Sequence, residues 1–193
     1  MLNRALDAIV IGGSAGAIEA LGVILPALPK EAKVPVVVLV HLPPRRESLL
    51  VEIFEKRCAL RVREPEDKEP LSAGIWFAPP DYHLLIERDR TFALSIDEPV
   101  RFSRPSIDVL FESAGDAFGA DLCAVVLTGA NDDGAAGARR VKRAGGMVLV
   151  QDPESAECKE MPAAAIRSVA TDFIGDPPGL ARVLRDISLG IPS

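Results

Sequence analysis

The sequence predicts one doubly wound α/β domain over residues 1–193, a mainly parallel sheet flanked by helices with a small antiparallel β annex. Three observations carry this prediction. Short, unbroken apolar runs of the kind found in strands buried on both faces alternate with segments of helical apolar spacing. The turns after the apolar runs are rich in glycine. Between residues 59 and 95 the alternation gives way to short runs separated by Gly, Pro and Asp, the pattern of hairpins.

Residues 8–12 (Ala-Ile-Val-Ile-Gly) read as the first strand, and Ile18, Leu21, Ile24, Leu25 and Leu28 mark one face of a helix over 17–28. Pro26 and Pro29 close that helix, and 34–40 is a second buried strand, completing a βαβ unit. A helix follows over 48–56, with Leu49, Leu50, Ile53 and Phe54 on one face and Ser48 able to cap it. The annex is expected from runs at 60–63, 75–78, 83–87 and 91–96. Beyond it come a helix at 106–118, a strand at 123–127, a helix at 135–144, a strand at 147–150 and a closing helix at 179–187. No internal repeat, low-complexity tract or linker interrupts the chain.

Composition narrows the function. Hydrophobic residues make up 48% and charged residues 26% of the chain, values that exclude a disordered segment. A formal charge of −6 without any dense run of Lys and Arg disfavours nucleic acid as a partner. No apolar run approaches the roughly 20 residues needed to cross a bilayer, so no membrane insertion is expected. Cys58, Cys123 and Cys158 are odd in number and widely spaced, which suits a reducing cytoplasm and supplies neither a disulfide framework nor a metal site. The first residues offer no cleavable signal.

In an open parallel sheet, ligands bind outside the carboxyl ends of the strands. Here those ends carry Gly12-Gly13-Ser14-Ala15-Gly16, then His41, then the stretch from Thr128-Gly129 to Asp132-Asp133-Gly134. A dinucleotide turn of G-x-G-x-x-G type is disfavoured, because reading from Gly12 the second glycine position is Ser14, and because the second strand ends in His41 instead of an acid for the ribose. Read as G-x-S-x-G, the first loop is a tight strand-to-helix corner that projects a serine. His41 lies 27 residues after Ser14, about one βαβ unit, which puts it on the neighbouring strand as a candidate general base. The order serine, histidine, acid is not that of the α/β-hydrolases. The acid must accept a hydrogen bond from imidazole Nδ1 and stabilise the imidazolium. Asp132 and Asp133 both qualify by spacing, and either could instead cap the next helix. His83, at the start of an annex strand, is a less favoured base. Gly129 and Gly134 suggest a tight loop with exposed N–H groups for an oxyanion hole.

These segments together resemble the catalytic domain of the chemotaxis protein-glutamate methylesterases, the CheB family. The resemblance rests on Ile11 to Gly16, Val40-His41-Leu42-Pro43-Pro44, and Leu127-Thr128-Gly129 with Asp133-Gly134-Ala135-Ala136-Gly137. It extends to Ala78-Pro79-Pro80 with His83, Arg104-Pro105-Ser106-Ile107-Asp108-Val109-Leu110-Phe111, and Gln151-Asp152 with Met161-Pro162 and Ala165-Ile166. It implies that Ser14 is the nucleophile, His41 the base and Asp133 the acid, with Asp132 at a variable position. It also implies demethylation of glutamate γ-methyl esters on the cytoplasmic domains of methyl-accepting chemotaxis-type receptors, with deamidation of receptor glutamines as a second activity. No metal or organic cofactor is implied.

Three features depart from the family pattern. Ala17 stands where a second glycine is usual, Ala130-Asn131 replaces Met-Gly, and the chain begins at the first strand, without the phosphorylatable receiver domain that many members carry ahead of it. The expectation is therefore an enzyme indifferent to small phosphodonors, with any control supplied by a separate receiver protein. Two other readings keep the residues but change the outcome: a related serine esterase or amidase acting on a non-receptor substrate, and an interaction module weakened by Ala17, Ala130 and Asn131.

Overall fold

The computed structural model describes residues 6–42 and 48–189. Two strands, β1 (Ala8–Gly13) and β2 (Val36–Val40), are buried along their whole length, as their unbroken apolar runs require. They pair in parallel from Ile9 opposite Val36 to Gly13 opposite Val40. Between them α1 (Ala17–Ile24) starts after Gly16, whose φ of 77° is the left-handed conformation that glycine adopts without steric cost, and ends in a single 3₁₀ turn containing Pro26. The short α2 (Leu50–Glu55) is preceded by Ser48, whose Oγ accepts the Leu50 N–H at 3.3 Å, as the sequence suggested.

The expected annex is only partly correct. The runs at 60–63 and 75–78 form β3 (Val62–Arg63) and β4 (Ile75–Phe77), which join the main sheet in parallel, while β5 (His83–Ile86) and β6 (Phe92–Ser95) alone make an antiparallel hairpin. The connection between β3 and β4 is long enough for a crossover without a helix, so short strands separated by turn residues were no evidence for antiparallel pairing. Beyond the hairpin come α3 (Ile107–Phe118), β7 (Leu122–Val126), α4 (Ala135–Arg143) and β8 (Met147–Gln151). Two elements not expected as such follow, α5 (Glu160–Ser168) and the edge strand β9 (Phe173–Gly175), before α6 (Pro177–Ser188).

The seven-stranded sheet runs β3-β4-β2-β1-β7-β8-β9 with every pair parallel. Alternate side chains of each strand feed opposite cores. Ile9, Ile11, Val36 and Val38 meet Leu21, Ile24, Phe54, Leu180 and Leu184 from α1, α2 and α6. Val10, Val37, Leu39 and Val126 meet Leu110, Phe111, Val141 and Met161 from α3, α4 and α5, together with Phe92 of the hairpin. The chain leaves β1 toward β2 on one side and β7 lies on the other, so the strand order reverses at β1. The crevice at such a reversal is where doubly wound sheets bind ligands.

Candidate active site

Ser14 and His41 are the first residues beyond the last register pair of two adjacent strands, Gly13 opposite Val40. The ladder continues one step further, because the His41 N–H donates to the Gly13 carbonyl at 3.1 Å. Neighbouring strands lie about 4.8 Å apart, so the backbones of Ser14 and His41 leave the sheet from adjacent strand ends. The serine turn is tied down through its backbone. Ser14 N–H donates to the Thr128 carbonyl at 2.9 Å, and the Ala17 N–H donates to Ser14 O at 2.9 Å.

Thr128 grips this turn a second time, its hydroxyl donating to Ala15 O at 2.9 Å while accepting the Cys158 N–H at 2.9 Å. Its own N–H donates to Gln151 Oε1 at 2.9 Å. Glycine is required where the elements close on one another. A Cβ on Gly12 would lie 2.3 Å from Ile107 Cγ2, which is how close the start of α3 comes to the end of β1.

Asp133 is fully buried between these elements. Its Oδ2 accepts from His41 Nε2 at 2.9 Å and from the Ile107 N–H at 2.8 Å; its Oδ1 accepts from Ser106 Oγ at 2.9 Å and from the Asp108 N–H at 2.9 Å. The carboxylate thus caps α3, where the helix N-terminus also favours negative charge. Burial alone would raise its pKa, but the hydrogen bonds from His41 and from the Asp108 and Ile107 amides outweigh it and hold the carboxyl below the usual aspartate range.

An ionised carboxylate only accepts, so the imidazole nitrogen facing it carries the proton. Neutral His41 is therefore the Nε2–H tautomer, with its lone pair on Nδ1. This is the opposite of the sequence expectation, in which Nδ1 faces the acid; the ring turns its far nitrogen toward Asp133, which sits under α3.

The neighbouring candidates do other work. Asp132 is exposed and pairs with Arg101 Nη1 at 2.6 Å. Buried His83 is held between two backbone groups, with Nδ1 accepting the Ser106 N–H at 3.2 Å and Nε2 donating to Glu98 O at 3.1 Å. Its role is to fix the segment carrying Ser106. The amides expected to be exposed at Gly129 and Gly134 are not: Gly129 N–H donates to Cys158 O at 3.1 Å and Gly134 N–H to Asp108 Oδ1 at 2.9 Å. The loop folds back on α5 and α3, and this consumes them. Among the described residues the Ala15 and Ala130 amides make no hydrogen bond. Asn131, one of the departures from the family pattern, shapes the loop by accepting the Asp133 N–H through Oδ1 at 3.1 Å. The Pro43-Pro44 part of the histidine segment lies outside the described residues.

Ser106 and Asp108 lie within the 104–111 segment, whose sequence alone assigns neither a role. Asp108 accepts from the Gly134 and Gly137 amides at the start of α4 and from Arg101 Nε at 3.1 Å. Burial pushes its carboxyl pKa up, opposed by the Gly137 amide and aided by the charge of Asp133. A cleft of about 270 Å³ opens beside His41, lined by Leu42, Asp81, Phe102, Arg104 and Pro105 among others.

A hydroxyl, an imidazole and a buried carboxylate gathered at the carboxyl edge of a doubly wound sheet are the equipment of a serine hydrolase. The model of the CheB methylesterase family matches residues 9–184, and the chain belongs to that family. A Leptospira interrogans protein named "Putative protein-glutamate methylesterase/protein-glutamine glutaminase" is 48% identical over 169 residues, covering 87% of this chain and 88% of that one. A Thermotoga maritima protein-glutamate methylesterase/protein-glutamine glutaminase is 33% identical over 170 residues. The match covers 86% of this chain and 49% of that protein, so the chain spans about half the length of this relative. The crystal structure of the Thermotoga maritima CheB methylesterase catalytic domain superposes with a TM-score of 0.90 at 30% identity, covering 95% of this chain and all of that one.

Proposed function

We propose that the chain is a protein-glutamate methylesterase in which Ser14 is the nucleophile, His41 the general base and Asp133 the acid that orients it. The observation that carries this reading is the 2.9 Å bond from His41 Nε2 to buried Asp133, made one residue beyond the register pair that sets Ser14 beside His41. Family membership supplies the substrate class. The same relatives are named protein-glutamine glutaminases, which supports glutamine deamidation as a second activity.

In this mechanism His41 Nδ1 takes the Ser14 hydroxyl proton as Oγ attacks the γ-carbonyl carbon of a glutamyl methyl ester. Asp133 stabilises the imidazolium, and its depressed pKa keeps it an acceptor throughout. Collapse of the tetrahedral intermediate breaks the ester C–O bond, and methanol leaves with the proton from His41. Water, deprotonated by the same nitrogen, then hydrolyses the acyl-serine to a glutamate carboxylate. Deamidation follows the same course with ammonia leaving. Oxyanion donors must be amides not already engaged, which points to Ala15, directly after the nucleophile, and Ala130. The proposed protein substrates are the cytoplasmic domains of methylated chemotaxis-type receptors. Among the described residues no helix is long and apolar enough to cross a membrane.

The test is methanol release from methylated receptor membranes. The intact protein should release methanol, and Ser14→Ala should lower kcat by about 10⁴-fold or more. Its melting temperature should stay unchanged, because the hydrogen bonds that hold Ser14 are made by its backbone. Near-normal turnover by the variant would remove Ser14 from the mechanism.

A further inference from the structure

The segment 99–105 forms one wall of the cleft beside His41, and its tip is built against backbone preference. Val100 and Ser103 exchange two backbone hydrogen bonds, 3.1 and 2.9 Å, across a two-residue turn. Both central residues are left-handed, Arg101 at φ 51° and Phe102 at φ 63°. Turns of this geometry favour Asn and Gly, and a bulky aromatic at positive φ is a conformational outlier. Such outliers persist only where the surroundings over-determine them.

The surroundings here do so. Arg101 is clamped by Asp108 Oδ2 at 3.1 Å and Asp132 Oδ1 at 2.6 Å, and Arg104 Nη1 donates to the carbonyls of Ile96 and Asp97 at 2.9 and 3.1 Å. The result is a Phe102 side chain that is 103% exposed and covered by none of the described residues. A single exposed apolar residue is ordinary. This one is held out by a strained, doubly anchored turn on the wall of the cleft that contains His41, and Arg104 of the same segment ties that wall to exposed Ile96 through its carbonyl. Ile96, at the end of β6, is 74% exposed, and Tyr82, which precedes β5 and would continue its pairing opposite Ile96, is 41% exposed. The same wall carries an orphan donor, since among the described residues buried Arg104 Nε has no hydrogen-bond partner.

We propose that Phe102 is a specificity-determining residue that packs on an apolar side chain of the receptor polypeptide beside the esterified glutamate, so that protein-borne esters are favoured over free ones. An aromatic anchor is the residue type that concentrates binding energy at protein contacts. The proposal rests on the methylesterase reading and extends it to substrate recognition.

The experiment compares kcat/KM for methanol release from methylated receptor membranes with kcat/KM for free glutamate γ-methyl ester, in the parent protein, Phe102→Ala and Phe102→Gly. Phe102→Gly guards against misfolding, because glycine relaxes the positive φ and should preserve the melting temperature. In both variants the ratio of receptor to free-ester kcat/KM should fall at least tenfold, mainly through KM on receptors. A ratio within twofold of the parent's would overturn the proposal while leaving the methylesterase reading intact. A parent that hydrolyses the free ester but releases nothing from receptors would overturn the receptor reading, and the docking role with it.

Discussion

Asp108 and Asp133 each cap the helix that the other introduces. Asp133, in the loop before α4, accepts the Ile107 and Asp108 amides at the start of α3; Asp108, in the first turn of α3, accepts the Gly134 and Gly137 amides at the start of α4. The two helix starts are thereby locked together, and the proposed catalytic acid is part of the lock. Every acceptor position of Asp133 toward α3 is filled by protein, which leaves Oδ2 aimed at His41 as the one link to the chemistry.

Asp133→Asn should therefore lower kcat by about 10⁴-fold, because an amide placed there must present either a donor to His41 Nε2–H or the wrong group to the α3 amides. Asp132→Asn loses only an exposed pair with Arg101, which Asp108 still holds, and kcat should change by less than about threefold. Steady-state methanol release decides between them, and equal effects would mean that the acid has been assigned to the wrong residue.

The depressed pKa of Asp133 has a pH signature. A carboxyl whose folded pKa lies below its unfolded value adds stability that is fully present above the unfolded value, near 3.9, and is lost as pH falls through the folded one. Urea unfolding should show wild type more stable than Asp133→Asn by about 2 kcal/mol at pH 7. That margin should narrow as pH drops below about 4. A margin independent of pH between 7 and 2 would contradict an ionised, hydrogen-bonded Asp133.

Gly12→Ala should destabilise the protein by roughly 2 kcal/mol, since the new methyl meets branched Ile107 at the mouth of the site and α3 must shift. Gly129→Ala should cost less, because the nearest contact there is the flexible end of Met161. Thermal denaturation ranks the two, and activity should follow the same order.

Thr128→Val should lower kcat about tenfold with KM little changed, because it removes the hydroxyl that ties Ala15, beside the nucleophile, to Cys158. Thr128→Ser should restore most of the rate. A change confined to melting temperature would show that Thr128 supports the fold alone.

The βαβ start and the later α/β alternation were legible because 36–40 and 122–126 are unbroken apolar runs and α1 and α3 carry clear faces. The β3–β4 pair was misread because strands of two and three residues carry no pattern that separates parallel from antiparallel pairing. The α5 helix was hidden by Pro162, tolerated in its first turn, and by an alanine-rich stretch with little polar contrast. For the site, Ser14, His41 and Asp133 stood out by position at strand ends. The orientation of His41, the use of the Gly129 and Gly134 amides and the roles of Ser106 and Asp108 depend on contacts between residues 25 or more apart in sequence, which no local pattern encodes.

The parallel register of β1 and β2 divides the molecule into a working rim and a spare rim. The proposed triad hangs from the carboxyl ends of strands, where an added residue would slide Ser14 past His41. The opposite rim, including exposed Lys30 and Glu31 between α1 and β2, carries none of it. Extra length spliced there would be absorbed by the bend without disturbing the strand ladder, making it the natural place to attach a label, a tether or a second module without silencing the enzyme.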